Sequence, residues 1–86
     1  MKKDKLNKSF DARFGEFVKK KRLEKGWSQV DLADRVENNF QNISRLERGE
    51  ITPTLFWCYK LANALDITLP EILKEFDFKI KSKKGG

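Results

Sequence analysis

The stretch SQVDLADRVENNFQNISRLERG, Ser28 to Gly49, decides how the chain reads. Its first half is regular. Ser28 is a strong helix cap and Asp31, three residues on, completes a capping box. A helix QVDLADRVE therefore follows, with Val30, Leu32, Ala33 and Val36 as its apolar side. The second half is less ordinary. A helix started by Asn38 or Asn39 and ended by Gly49 has only Phe40, Ile43 and Leu46 to bury, in a crowd of amides and arginines. Ile43 and Leu46 are three apart and share a face. Most of the remaining surface of that helix is polar, and its entrance is the most polar part.

Only Glu37 to Asn39 separates these two helices. A connection that short sets them at a steep angle, the helix-turn-helix geometry. The first buries Leu32, Ala33 and Val36, and the second buries Ile43 and Leu46. The opposite side of the second, with Gln41, Ser44, Arg45 and Arg48 and with Phe40 near its edge, is left free. A row of amides and guanidinium groups suits a surface of hydrogen-bond donors and acceptors such as base edges.

Outward from this pair the pattern stays helical, and glycines fall where helices should stop. Ser9 caps a first helix, FDARFGEFVKKKRLEK, that buries Phe10, Phe14, Phe17 and Val18 and closes at Gly26. Thr52 as cap and Pro53 as first helical residue open a fourth, TLFWCYKLANAL. Thr68 and Glu71 form a capping box for a fifth, LPEILKEF. Trp27, Leu55, Tyr59, Leu61 and Leu65 are core by periodicity. Phe56 and Trp57 are neighbours and cannot be equally buried, so one of them meets the C-terminal segment or a second subunit. The expected fold is a compact all-α, five-helix domain over residues 9–77, between a flexible basic segment 1–8 and a basic tail 78–86. Within Phe76 to Ile80 apolar and charged residues alternate, which fits either a short strand or a frayed helix end.

Composition narrows the function. Eighty-six residues make one domain, and a net charge of +6 with a pI near 9.6 favours an anionic partner. There is no histidine, the commonest general base and metal ligand, and no glycine-rich phosphate loop. The single Cys58 reads as a packed thiol. No enzyme activity, catalytic residue, metal or cofactor is expected, and no membrane span; a lone cysteine suits a reducing cytoplasm.

The blocks SQ and LA of the second helix, IS-x-LERG of the third, and P-T-L and KLANAL of the fourth together resemble the phage-repressor (Cro/C1, XRE) type of helix-turn-helix domain. With FGEFVKKKRLEKGW before them, the likeness runs from Phe14 to Leu73. It departs at Glu37, where glycine is usual, at Asn38, where an apolar residue is usual, and at Lys21, another usually apolar site. The resemblance implies a cytoplasmic regulator of transcription that binds double-stranded operator DNA as a homodimer. It further implies base contacts from Phe40, Gln41 and Arg45, and backbone contacts from Gln29, Asn39, Asn42, Ser44 and Arg48. Arg22 and Glu47 match positions that pair across helices. Phe40 can equally close over the entrance of its helix, and Asn39 can act as its cap. Two copies on a pseudo-palindrome would meet through the fourth and fifth helices, around Trp57, Leu69, Ile72 and Phe76. The alternative is a protein-interaction adaptor or antitoxin that keeps the same fold, for which an amide- and arginine-rich third helix is not needed.

Overall fold

The computed structural model describes residues 5–75, so the Phe76–Ile80 alternation and both chain ends lie outside the described residues. Five helices occur in order: α1 (Lys5–Glu24), α2 (Gln29–Arg35), α3 (Phe40–Glu47), α4 (Leu55–Leu65) and α5 (Leu69–Glu75); the described residues contain no strand. α1 starts four residues before Ser9, which therefore lies inside the helix and does not cap it. Lysine and leucine in residues 5–8 are good helix formers, and nothing there stops the helix. At the other end Gly26 and Trp27 donate to the carbonyls of Leu23 and Arg22, closing α1.

The capping box of α2 is present: Asp31 N–H donates to Ser28 Oγ at 3.0 Å, and Ser28 N–H donates to Asp31 Oδ2 at 2.8 Å. Hydrogen bonding of Ser28 to the carboxylate, that of its backbone N–H foremost and then that of its side chain, holds the Asp31 carboxyl below the ordinary aspartate range. Leu32, Ala33 and Val36 are buried, but Val30 is exposed. Helical periodicity explains the difference, since Val30 lies round the cylinder from the other three. α5 has its own box, with Thr68 N–H donating to Glu71 Oε1 and Glu71 N–H to Thr68 Oγ1.

The cap of α4 is Thr54, whose hydroxyl accepts from Trp57 N–H at 3.0 Å; Pro53 stands before the cap. Thr52, the expected cap, instead donates its hydroxyl to both carboxylate oxygens of Asp11, at 2.6 and 2.7 Å. Both threonines can cap locally. The buried Asp11, 41 residues away, claims one of them and ties α1 to the approach of α4. Leu55 and Tyr59, expected in the core, are exposed, because α4 turns Leu61, Ala62 and Leu65 inward. Ile72, expected at a subunit contact, is buried in the monomer core, with Trp57 and Leu69 packed partly buried against it.

The core gathers Phe14, Phe17 and Val18 of α1 with the apolar sides of the other helices, and Phe10 stacks on Phe14 at 5.6 Å. α3 and α1 meet without room for side chains. A methyl group on Gly15 would stand 2.4 Å from the Leu46 carbonyl oxygen and 2.6 Å from that of Glu47. Gly49, just past α3, has φ +76° and would set a Cβ 3.0 Å from Ala12 Cα. Glycine is thus required at Gly49 by backbone conformation and by space at once. Gly15→Ala should destabilise the domain by roughly 1–3 kcal/mol or more, since backbone, not a flexible side chain, must move. Urea denaturation of the variant checks this.

Candidate nucleic-acid interface

The turn between α2 and α3 needs one left-handed residue, and Glu37 supplies it at φ 55°. A side chain there costs about 1–2 kcal/mol, and nearby Lys60 Nζ approaches the Glu37 carboxylate only at 4.0 Å. Asn38 N–H then donates back to the Ala33 carbonyl at 2.9 Å. Asn39 is the cap of α3, its side-chain oxygen accepting from Asn42 N–H at 2.8 Å. The Asn38 side-chain oxygen accepts from Asn39 N–H and from the Asn42 amide, at 2.8 and 2.9 Å. Three of the entrance amides therefore engage one another and two N–H groups of the helix start, those of Asn39 and Asn42.

Ile43 and Leu46 are fully buried, and the outward side carries the other residues singled out above. Phe40 is 48% exposed at the first helical position and stands outside the core cluster. Gln41 and Arg45, one turn apart, are both exposed. Arg48 is turned along its own helix: it donates to the Ser44 hydroxyl and, at 2.8 and 3.2 Å, to the carboxylate of Glu50. Arg45 Nε lies 3.7 Å from the same carboxylate. An open groove of about 370 Å³ beside α3 is lined in part by Asn38, Asn42, Arg45, Thr54, Phe56 and Lys60.

Behind this surface α1, α2 and α3 are joined at one carboxylate. Arg22 donates from Nε to Glu47 Oε2 at 2.7 Å and from Nη2 to Oε1 at 3.0 Å. Its Nη1 donates to the Trp27 carbonyl at 2.7 Å, and the Gln29 amide donates to Glu47 Oε1 at 3.1 Å. Arg22 and Glu47 are each only 7% exposed. The hydrogen bond to Glu47 raises the Arg22 pKa further above its already high value, against the opposing effect of burial. Gln29 sits at the first position of α2, and one of its two amide hydrogens is taken by Glu47 while the amide can still offer the other. Trp27, between α1 and α2, carries the Arg35 guanidinium 4.0 Å and the Lys25 ammonium 5.5 Å from its ring centre. Lys21, on a usually apolar face, lays its ammonium over Phe17, 5.7 Å from the ring centre, and 3.6 Å from the Glu24 carboxylate.

The described residues hold no group of side chains fit to bind a metal ion, and none of their helices is long and apolar enough to cross a membrane. Burial pushes the Cys58 thiol up, away from the reactive thiolate. Three contributors were missed in the sequence. Gly15 was visible as a glycine within a helical pattern, which signals a close approach. The Asp11–Thr52 link, 41 residues apart, carries no local signal. An exposed pair of Arg45 with a neighbouring acid is open to sequence reading, but that Glu50 also holds Arg48 is not.

With this geometry in place, the comparisons with known proteins are decisive for the family. The model of the family described as Helix-turn-helix (HTH_3) matches residues 18–72. The chain belongs to this helix-turn-helix family. Among solved structures it is similar to the restriction-modification controller protein C.AhdI from Aeromonas hydrophila. Identity there is 32% and the TM-score 0.72, over 77% of this chain and 96% of that one. The clp gene regulator ClgR from C. glutamicum shares the fold at 23% identity and TM-score 0.71, over 76% of this chain and 83% of that one. An HTH_3 family transcriptional regulator from Vibrio cholerae shares it at 20% identity and TM-score 0.75, over 92% of this chain and 44% of that one. A search of curated proteins gives no match.

In this helix-turn-helix chain Glu47 is the common acceptor for α1 and α2. Glu47→Gln should lower stability by roughly 3 kcal/mol, because it leaves the buried Arg22 charge without its counter-ion. Chemical denaturation measures this, and a loss of only a few tenths would place the pair among surface ion pairs, roughly 0–1 kcal/mol.

Proposed function

We propose that the protein is a cytoplasmic, sequence-specific DNA-binding regulator of transcription that lays α3 into the major groove. The observation that carries this reading is the exposed row Gln41–Arg45 beside Phe40, held out by a helix whose other face is fully buried. Glutamine can pair bidentately with adenine, arginine with guanine, and an aromatic ring can pack on a thymine methyl. Gln29, Asn39, Asn42, Ser44 and Arg48 serve the phosphate backbone in this reading. Gln29 is favoured for that role by its place at the start of α2, where unpaired N–H groups attract anions. Similarity to a restriction-modification controller supports a regulatory role, as does the basic net charge.

One α3 spans only a few base pairs, too few to single out a site in a genome. The active form on this reading is a symmetric homodimer on half-sites about 34 Å apart. Among the described residues the exposed apolar face of α4, Leu55, Phe56 and Tyr59, supports such a contact; Phe56 and Tyr59 stack at 6.5 Å.

A binding sequence selected from a random duplex pool provides the test. Arg45→Ala should cost roughly 1–3 kcal/mol on that sequence and relax the preference at one base position. Gln29→Ala should weaken selected and scrambled duplexes alike, as a phosphate contact does. Equal losses on both duplexes for Arg45→Ala would remove it from base reading. Footprinting of the wild type should protect two half-sites with two chains per duplex, and a single half-site with one chain would reject the dimer.

A further inference from the structure

Glu50 is an acid on a surface that is otherwise built to meet an anion. Its carboxylate receives Arg48 side-on, Nε to Oε2 at 2.8 Å and Nη2 to Oε1 at 3.2 Å, and stands 3.7 Å from Arg45 Nε. All three side chains are about half exposed, at 47% for Glu50, 51% for Arg45 and 55% for Arg48. Two outward cations of α3 thus share one anion, and the group presents a net single positive charge where the two arginines alone would present two.

The manner of contact matters more than the charge total. Arg45 comes nearest to Glu50 at Nε, 3.7 Å from the carboxylate and beyond hydrogen-bond reach. Its terminal fork is therefore not tied to Glu50 by a hydrogen bond and can meet the O6 and N7 of guanine. Arg48 is different, because the edge it would offer to a phosphate is the edge Glu50 occupies. A guanine can therefore be read by Arg45 with Glu50 in place, whereas a phosphate must compete with Glu50 for Arg48. The carboxylate also repels the backbone of any duplex, whatever its sequence.

We propose that Glu50 is a specificity-determining residue: it weakens sequence-independent binding by competing with phosphate for Arg48, while its ion pair with Arg45 positions that side chain for base reading. The inference rests on the DNA-binding reading of α3. Glu50 acts as a positioning residue for Arg45 and as a competitor for phosphate at Arg48. Its own contact with a base is not required.

The test is Glu50→Gln, which keeps shape and removes charge, with affinities for the selected and a scrambled duplex measured over a range of salt. Binding to the scrambled duplex should tighten about three- to tenfold, the scale of two exposed ion pairs. Its dependence on log salt should steepen by about 0.9, the mark of one added phosphate contact. The selected duplex should gain less, so the ratio of the two affinities falls. In an Arg45→Ala background the same substitution should shift both duplexes equally. A loss confined to the selected duplex would overturn the inference, making Glu50 a base reader in its own right. Equal tightening on both duplexes with Arg45 present, or no change in either affinity or slope, would overturn it also. Wild-type protein that binds no duplex would instead reject the DNA-binding reading itself.

Discussion

The rest of the structure depends on one buried carboxylate. Glu47, at the last position of α3, accepts twice from Arg22 of α1 and once from Gln29 at the start of α2. A charged pair out of water adds little net stability in itself, since desolvation offsets much of the attraction. What it supplies is direction. Apolar contacts among Ile43, Leu46, Leu32 and Val36 tolerate small rotations of one helix on another, whereas two parallel N–H donors onto a carboxylate do not. The angle at which α3 leaves the domain, and the place of the α2 start beside it, are set by these hydrogen bonds.

The same end of α3 is seated on α1 by the absence of side chains. Gly15 lets the carbonyls of Leu46 and Glu47 come down onto the helix, and Gly49 passes Ala12 in a left-handed turn. Next to this contact the Asp11 carboxylate takes the Thr52 hydroxyl and draws the segment before α4 to the same face of α1. Three points along one face of α1 therefore grip α3 and the approach to α4, by the Asp11 carboxylate, by the bare backbone of Gly15 and by the Arg22 guanidinium. A rigid seat of this kind frees the outward face of α3 from any part in stability, so that its residues can be chosen for contact alone.

The polar entrance of α3 serves two ends. Asn38, Asn39 and Asn42 are engaged mostly with one another and with the helix start, where unpaired N–H groups would otherwise face solvent or partner. Gln41 and Arg45 remain exposed on the outward face. The basic character of the surface is also more graded than a count of arginines suggests, because Glu50 answers two of them. A surface that is only cationic binds every duplex; acids placed among the cations turn attraction into discrimination.

Local chemistry in the sequence was enough for the helices of the central motif, the capping boxes of Ser28–Asp31 and Thr68–Glu71, and the buried faces Leu32–Val36 and Ile43–Leu46. Each depends on residues within one or two turns of one another, so neighbours in the chain carry the information. The family was legible for the same reason, as several short blocks at fixed spacing. Position within the tertiary structure decided the rest. Thr54 and not Thr52 caps α4, because Asp11 binds Thr52 from across the domain. Val30, Leu55 and Tyr59 stay outside although apolar, because burial depends on which side another helix covers. Ile72 is used up in the core for the same reason. Gly15 shows what it must admit, the carbonyls of Leu46 and Glu47, only when α3 is laid on α1. A pattern along the chain specifies which side of a helix is apolar, but contact between distant residues specifies which groups must share a space or a charge.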